Sequence, residues 1–502
     1  MTIKVAKDTF PKNLSGVHVH FVGIKGTGMA ALVEIFHARG AVITGSDVAE
    51  RFYTDDILER LSLRVLPFSE KNITKDIQFV VHSSAYSVES NPDLAEAKRR
   101  GIPLMLYSQA LGALSAQSYS CSVCGVHGKT TTTGLIGTIL RGLNLPSQVL
   151  AGSIISSFGG TCTMTSDSYG ASGRHYFVAE TCEYQRHFLS FHPQKILLTS
   201  VESDHQDYYP TYADIRQAFV EYIWRLPIGG QLLYCADDSG AVETAGLSSQ
   251  FRRDIQLLPY GTNASGNYHL ELGRVEDGKQ YFTMGVIGEC ALSVPGVHNV
   301  RNACAAVALC SELLRSEGKN PAAYATIIKA MLLQYSGGKR RSEVIAHAKT
   351  PLGQDVIVLD DYAHHPTAIK STLKGYREFY QGRKIIVDFM SHTYSRTAAL
   401  LEDFATGFAD ADRVIVNKIY ASARELASEP SVTGEFLAKR ADMCNHRTTY
   451  AAEFDEAARL VLAELSKPSG DGYPNGYLFV TMGAGDNWKV GRMVVEALES
   501  NA

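Results

Sequence analysis

The stretch Gly125-Val126-His127-Gly128-Lys129-Thr130-Thr131-Thr132-Thr133 decides how this chain is read. It follows the short apolar run Ser122-Val123-Cys124 and leads into Leu135-Ile136-Gly137-Thr138-Ile139-Leu140, which has helical spacing. Strand, glycine loop, Lys-Thr and helix form an arrangement that grips nucleotide phosphates. The glycines let backbone N–H groups turn inward, the lysine reaches the terminal phosphates, and the hydroxyl after it can hold Mg²⁺. The usual loop has a glycine six residues before the lysine, and here that place is Val123. The nearest glycine, Gly125, stands four before Lys129, so this is a shortened phosphate loop.

Upstream, Val17-His18-Val19-His20-Phe21-Val22 reads as a strand and runs into Gly23-Ile24-Lys25-Gly26-Thr27-Gly28. A helical stretch follows to Ala38, then a strand at Ala41–Thr44 that ends in Gly45-Ser46-Asp47. This β-α-β unit has G-x-x-G-x-G in place of the dinucleotide G-x-G-x-x-G, with Lys25 where the second glycine belongs. A nicotinamide oxidoreductase is therefore poorly supported. A loop that grips another diphosphate stays open, and Asp47 could take a ribose hydroxyl. Apolar runs at Phe79–Val81 and Pro103–Met105 extend a small parallel α/β domain.

Downstream of the phosphate loop, the strand His175–Ala179 delivers Glu180 at its C-terminal end, where parallel sheets present functional groups. An acid there is placed to hold Mg²⁺ on a nucleotide. The strand Ile196–Val201 ends in Glu202, Asp204, His205 and Asp207, a candidate second cation site or a solvated loop. Asn299 and Asn302 are three apart at the start of a helix at Ala303–Leu314, so they share a face and could pair with adenine edges. A last α/β region opens near Gly337-Gly338-Lys339-Arg340-Arg341, with strands at Asp355–Leu359, Lys384–Phe389, Arg413–Asn417 and Tyr477–Met482. Two strands of that region end in Asp360-Asp361-Tyr362-Ala363-His364-His365 and in His392-Thr393-Tyr394-Ser395-Arg396. A zinc site at the histidines lacks a third ligand of obvious spacing, and Arg396 could neutralise a carboxylate or phosphate.

The chain has 502 residues, more than one hydrophobic core organises, so two to four domains are expected. With 45% hydrophobic and 20% charged residues it falls in the soluble globular class. A net charge of −4 gives no basic field for nucleic acid or an anionic membrane, so any anion is held locally. The nine cysteines include one lone Cys-x-x-Cys, Cys121 and Cys124, read as buried apolar residues of a reduced compartment. The N-terminus has no run of signal-peptide length, and nowhere do eighteen apolar residues stand together. A cytoplasmic protein without membrane insertion is expected.

Taken together, these motifs resemble the Mur ligases of bacterial cell-wall synthesis, in order and over nearly the whole chain. The resemblance rests on the short phosphate loop, His-Asn-x-x-Asn at 298–302, and Arg-Arg at 340–341. It rests equally on Asp-Asp-Tyr-x-His-His-Pro-Thr at 360–367 and His-x-Tyr-x-Arg-Thr at 392–397. It implies an α/β fold of three domains in series. These are a Rossmann-like UDP-sugar domain (1–115), a central P-loop ATPase-type domain (116–333) and a C-terminal Rossmann-like domain (334–502). It implies ATP and Mg²⁺ as cofactors, and an ADP-forming amide ligase working through an acyl phosphate. The match is nearest to members that join L-alanine to UDP-N-acetylmuramate, which would then be the substrates, with a monomer or weak homodimer as the state. A recycling ligase that attaches a whole peptide is the alternative.

The resemblance also implies site residues. Lys129, Glu180, His205, Arg341, His364 and Arg396 would be catalytic, and Thr130, Glu180 and His205 would ligate metal. ATP would meet Gly125, Val126, His127, Gly128, Lys129, Thr130, Thr131, Asn299, Asn302, Arg341 and Asp361. The other substrates would meet Gly26, Gly28, Met29, Asp47, Ser83, Tyr362, His364, His392 and Arg396. Two departures stand out. The family's Glu-Ala-Asp-Glu-Ser-Asp is here Glu180-Thr-Cys-Glu183-Tyr-Gln185, and its His-Arg-Tyr-Thr-Arg has Thr393 for the first arginine.

Overall fold

The computed structural model describes residues 9–166, 172–421 and 432–500. The chain forms two compact units, one made of the residues up to Glu202 with Ala213–His269 and Cys304–Leu332, the other of Ser203–Tyr212, Leu270–Ala303 and the chain from Leu333. Segments that are central in sequence thus group with the C-terminal region.

The first unit holds two sheets. His18–Val22 lies at the centre of a five-stranded parallel sheet in the order 65–66, 42–46, 18–22, 79–82, 104–106. Val19, Phe21 and Val22 are buried, as a strand covered on both faces requires. The strand order reverses between His18–Val22 and Phe79–His82, and such a switch point opens a crevice at the strands' C-terminal ends. The glycine loop leading to the helix Thr27–Ala38 lies at this edge.

The second sheet has seven strands in the order 256–260, 231–235, 195–198, 119–124, 176–180, 147–155, 161–166. All pairs are parallel except the last, a hairpin of Ser147–Ile155 with Thr161–Ser166 that the sequence reading did not anticipate. Val123 pairs with both Leu197 and Glu180. The phosphate loop, Glu180 and the tip after Leu198 therefore leave the sheet at one edge.

The second unit also mixes sheet types. Leu270–Glu276, Lys279–Met284 and Gly288–Leu292 form an antiparallel meander, again unforeseen. Its first turn is Asp277-Gly278, both with positive φ (51° and 66°), the two-residue hairpin connection whose twist matches the strands. The C-terminal sheet runs 343–349, 355–361, 477–483, 384–390, 413–416, 448–450, parallel but for its first, edge strand. Val387 and Leu478 face a layer that includes Ile369 and Leu373 of the helix Pro366–Phe379, while Ile386 and Phe479 face Val490 and Val494 of the helix Trp488–Ser500. The helix bearing Asn299 and Asn302 starts at Val297 and runs to Ser316, two residues before Asn299 rather than after Asn302. Among the described residues no helix is long and apolar enough to cross a membrane.

Inside the C-terminal sheet, Asp388 is fully buried and accepts hydrogen bonds from Asn417 Nδ2 (3.0 Å) and Asn487 Nδ2 (3.2 Å). Burial outweighs these bonds and pushes its carboxyl up to about 7, with Asp360 adding to the rise. The folded state then holds a proton that the unfolded chain releases near pH 4. Stability is lost as pH rises between these values and is level above them. Among the described residues Asn417 Oδ1 has no partner, so an amide at 388 gains an acceptor if Asn417 flips. We predict that Asp388→Asn removes this dependence. Between pH 5 and pH 8 the parent should lose about 2 to 3 kcal/mol more than the variant in urea unfolding.

Candidate active site

Gly125 (φ 132°) and Gly128 (φ 80°) turn the phosphate loop, and the helix Lys129–Gly142 begins directly after it. A side chain at 125 would meet Thr199 Oγ1 at 2.1 Å, so the loop can lie against the tip of the neighbouring strand only as glycine. That tip stitches the loop in place. Ser200 O accepts from Val126 N–H (3.1 Å), Ser200 Oγ accepts from His127 N–H (2.9 Å), and Thr199 Oγ1 donates to the carbonyls of Cys124 and His127. The His127 ring pairs with Glu202.

Lys129 Nζ donates to Glu183 Oε2 (2.9 Å) and to the carbonyls of Gly125 and Val126. Burial pushes the ammonium down, but the charge of Glu183 leads the opposing effects and leaves it above the ordinary lysine range. The cation is thus fixed inside its own loop. Thr130 and Thr131, in the first helical turn, are buried. Glu180 Oε2 accepts from Gly152 N–H (2.8 Å), and a Cβ at 152 would lie 2.5 Å from the same carboxylate. Glu180 and Thr130 offer oxygen donors, the kind a hard divalent cation takes.

At the edge of the first sheet, Gly26, Gly28, Met29 and Ser83 line one cleft together with Tyr107, Ser108 and His187. Those last three also line a second cleft with Glu180, Thr181 and Cys182. The two clefts share a wall. Asp47 does not line either; it accepts from Lys25 N–H (2.7 Å), Val48 N–H (2.8 Å) and Tyr86 OH (3.1 Å). Lys25, in the place of the dinucleotide glycine, is buried, donates to Glu50 O (2.7 Å) and pairs with Asp55 (3.2 Å). The residue that departs from the dinucleotide pattern is thus spent on bracing the next loop.

The second unit gathers Asp204, His205, Tyr362, His364, His392 and Arg396. Arg396 is buried and its Nε and Nη2 donate to Asp204 Oδ1 (3.1 and 2.6 Å), while Nη1 donates to His392 Nδ1 (3.2 Å). Two of the acids after residue 201 thus have partners in their own unit, Glu202 the His127 ring and Asp204 the Arg396 guanidinium. Burial pulls the Asp204 carboxyl up, but His205 and Arg396 outweigh it and hold it well below its usual range. His364 donates from Nδ1 to Tyr362 O (2.8 Å), which leaves Nε2 with the lone pair. Burial first, then Arg396 and His392, keep this imidazole neutral. Thr393, where the family has arginine, caps the helix Tyr394–Ala399 at φ 67°, a strained backbone for a β-branched residue.

Two neighbouring arginines both lie over the Tyr362 ring, Arg340 at 5.5 Å. Arg340 pairs with Asp360 (2.8 Å) and donates to the carbonyls of Gly483 and Gly485. Arg341 lies over the Tyr362 ring at 4.8 Å. Asp361 accepts from Ser342 N–H (2.7 Å), Ala363 N–H (2.8 Å) and Tyr376 OH (3.1 Å), bracing the turn that carries His364. Asn299 Nδ2 donates to Pro295 O (2.7 Å), and its Oδ1 accepts from Asn302 Nδ2 (3.3 Å). Glu180 and His205 belong to different units.

Sequence reasoning missed Tyr107, Ser108 and His187. Tyr107 follows the strand Leu104–Leu106, and its place at a parallel strand's C-terminal end was the available signal. His187 sits in an irregular turn with no local signature.

Three family descriptions match the chain in order: "Mur ligase family, catalytic domain" over residues 18–119, "Mur ligase middle domain" over 123–310, and "Mur ligase, glutamate ligase domain" over 340–485. A UDP-N-acetylmuramate–L-alanine ligase of Treponema pallidum is 46% identical over 97% of this chain and 98% of its own length. One from Borreliella afzelii is 34% identical over 94% of this chain and 97% of its own. The crystal structure of UDP-N-acetylmuramate-alanine ligase from Thermotoga maritima superposes with a TM-score of 0.75 at 24% identity, covering 97% of this chain and all of that one. A murein peptide ligase from Psychrobacter arcticus reaches 0.64 at 20% identity, over 96% of this chain and 99% of its own.

Breaking the Lys129–Glu183 pair leaves a buried cation without its counter-charge. We predict that Glu183→Gln costs about 3 kcal/mol in urea unfolding. A triphosphate that supplies the missing negative charge should raise the melting temperature of the variant more than that of the parent.

Proposed function

The chain belongs to the Mur ligase family, and we propose that it joins L-alanine to the lactyl carboxylate of UDP-N-acetylmuramate, consuming ATP and releasing ADP and phosphate. The observation that carries this reading is the end-to-end match, 46% identical over 97% of the chain, to an alanine-adding ligase. The whole-peptide alternative is not favoured, since curated relatives at 46% and 34% identity carry the alanine-adding name.

The division into domains at about residues 115 and 333 is part of the same proposal and agrees with the order of the matched segments. Nine free cysteines suit a reducing, cytoplasmic setting.

A carboxylate is a poor electrophile, so amide formation in water needs its oxygen exchanged for a better leaving group. In this reading a carboxylate oxygen of the sugar attacks the γ-phosphorus of ATP, ADP leaves, and an acyl phosphate forms. Lys129 spreads the charge of the transferring phosphoryl group, and the loop N–H groups from Gly125 to Thr131 hold the phosphates. Mg²⁺ would be held by Thr130 and Glu180, whose oxygen donors fit it, and would neutralise phosphate charge there. His205 is the third proposed ligand. Asn299 and Asn302 are the proposed adenine contacts, with Arg341 and Asp361 beside the nucleotide.

In the second unit, Arg396 and His392 are proposed to take the amino acid's carboxylate, with Tyr362 beside them. A neutral His364 is proposed to accept a proton from the amine through Nε2 as the amide forms. The UDP moiety is assigned to Gly26, Gly28, Met29 and Ser83, with Asp47 shaping that loop from beneath.

Two measurements test the reading. Phosphate release with ATP and UDP-N-acetylmuramate should depend on the added amine, with L-alanine ahead of glycine, L-serine and a tripeptide. Release indifferent to every amine would overturn the ligase reading. Lys129→Ala should lower turnover at least about 10²- to 10³-fold, the scale for losing one transition-state charge partner, and leave UDP-sugar affinity unchanged.

A further inference from the structure

The wall shared by the two clefts of the first unit consists of Tyr107, Ser108 and His187. Tyr107 opens the helix Tyr107–Ser115, and the hydroxyl end of its ring lies against Gly28 of the glycine loop. A Cβ on Gly28 would stand 2.7 Å from its Cζ and 2.9 Å from its hydroxyl oxygen. On the other side the ring senses Glu180. Burial first and the charge of Glu180 second push the phenol up, so it stays protonated and is a donor. Its hydroxyl has no hydrogen-bond partner among the described residues. A half-buried phenol with its O–H uncommitted to the protein, set between two lined clefts, is placed to donate to a ligand that spans them.

One cleft carries the glycine loop and Ser83, while the other carries Glu180. A nucleotide sugar whose diphosphate lies on the loop and whose acid end reaches Glu180 must pass Tyr107. We infer that Tyr107 is a substrate-contacting, specificity-determining residue: its hydroxyl donates to an acceptor oxygen of the acidic sugar, between the diphosphate and the carboxylate. This inference rests on the ligase reading above. It assigns to Tyr107 the recognition of the sugar rather than of the nucleotide, and it gives a reason for glycine at 28, where any side chain would displace the ring.

The test is Tyr107→Phe, which deletes one oxygen and keeps the ring. Calorimetric affinities for UDP and for UDP-N-acetylmuramate are compared with steady-state constants in the full-length enzyme. Loss of one neutral hydrogen bond predicts an approximately tenfold weaker affinity and an equally raised KM for UDP-N-acetylmuramate. Affinity for UDP, KM for ATP and kcat should stay within about twofold. An unchanged affinity for the sugar nucleotide overturns the inference, and so does an equal loss for UDP, which would mean a general collapse of the cleft. A parent enzyme that binds UDP-N-acetylmuramate and turns over isolates that failure to Tyr107. A parent that does neither overturns the ligase reading, and this inference with it.

Discussion

The buried pair of Lys129 and Glu183 is the constraint on which the first unit's chemistry depends. An ammonium taken out of water is costly unless a counter-charge and hydrogen bonds meet it. Here one carboxylate and two carbonyls of the loop itself do so. The loop must therefore fold back over its own lysine, which sets the conformation of Gly125. It also explains Val123. Residue 123 is still a strand residue, fully buried and paired on both sides, so the turn cannot begin there. The loop is short because the sheet runs on to Cys124. It recovers its rigidity from Thr199 and Ser200 on the next strand rather than from a longer glycine turn.

The second unit repeats the device with arginine. Asp360 holds Arg340 and Asp204 holds Arg396, each in a buried, hydrogen-bonded pair. Both arginines follow or face loops at the C-terminal ends of parallel strands, where backbone polar groups are least committed. Holding one charged side chain per loop fixes the positions of its neighbours. Arg341 lies over the Tyr362 ring at 4.8 Å with Arg340 over the same ring at 5.5 Å, and Arg396 meets a ring nitrogen of His392. Planar, multidentate guanidinium suits this role better than lysine does.

The parts of the fold legible in the sequence are those with local causes. Strand, phosphate loop and helix follow one another along the chain, and the parallel strands announce themselves as apolar runs ending in acids or glycines. The antiparallel meander was also written locally, in Asp277-Gly278 flanked by alternating residues, but its strands are half-exposed and lack an apolar run. For the acids at 202–207 the sequence shows like charges side by side and not the groups that distant segments bring to them. His127 and Arg396 take Glu202 and Asp204 only once the chain has folded. Tyr107 and His187 escaped for the same reason: neither has a motif, and only the folded sheets place them in one wall.

That wall gives the first unit a logic that neither sheet has alone. Each parallel sheet offers one edge of glycine-rich turns, suited to a diphosphate at 23–28 and to a triphosphate at 125–131. An amide ligase of this kind must hold a nucleotide sugar by one end and phosphorylate it at the other, so the spacing between the two grips has to match the substrate. Two clefts that meet at three side chains provide such a spacing without a loop to adjust it. Glycines at 28 and 152 keep both faces of the passage at backbone thickness, since a methyl at the first would strike Tyr107 and at the second would strike Glu180. On the proposed assignment of the two grips, their spacing is set by close packing, the least deformable element a protein interior has.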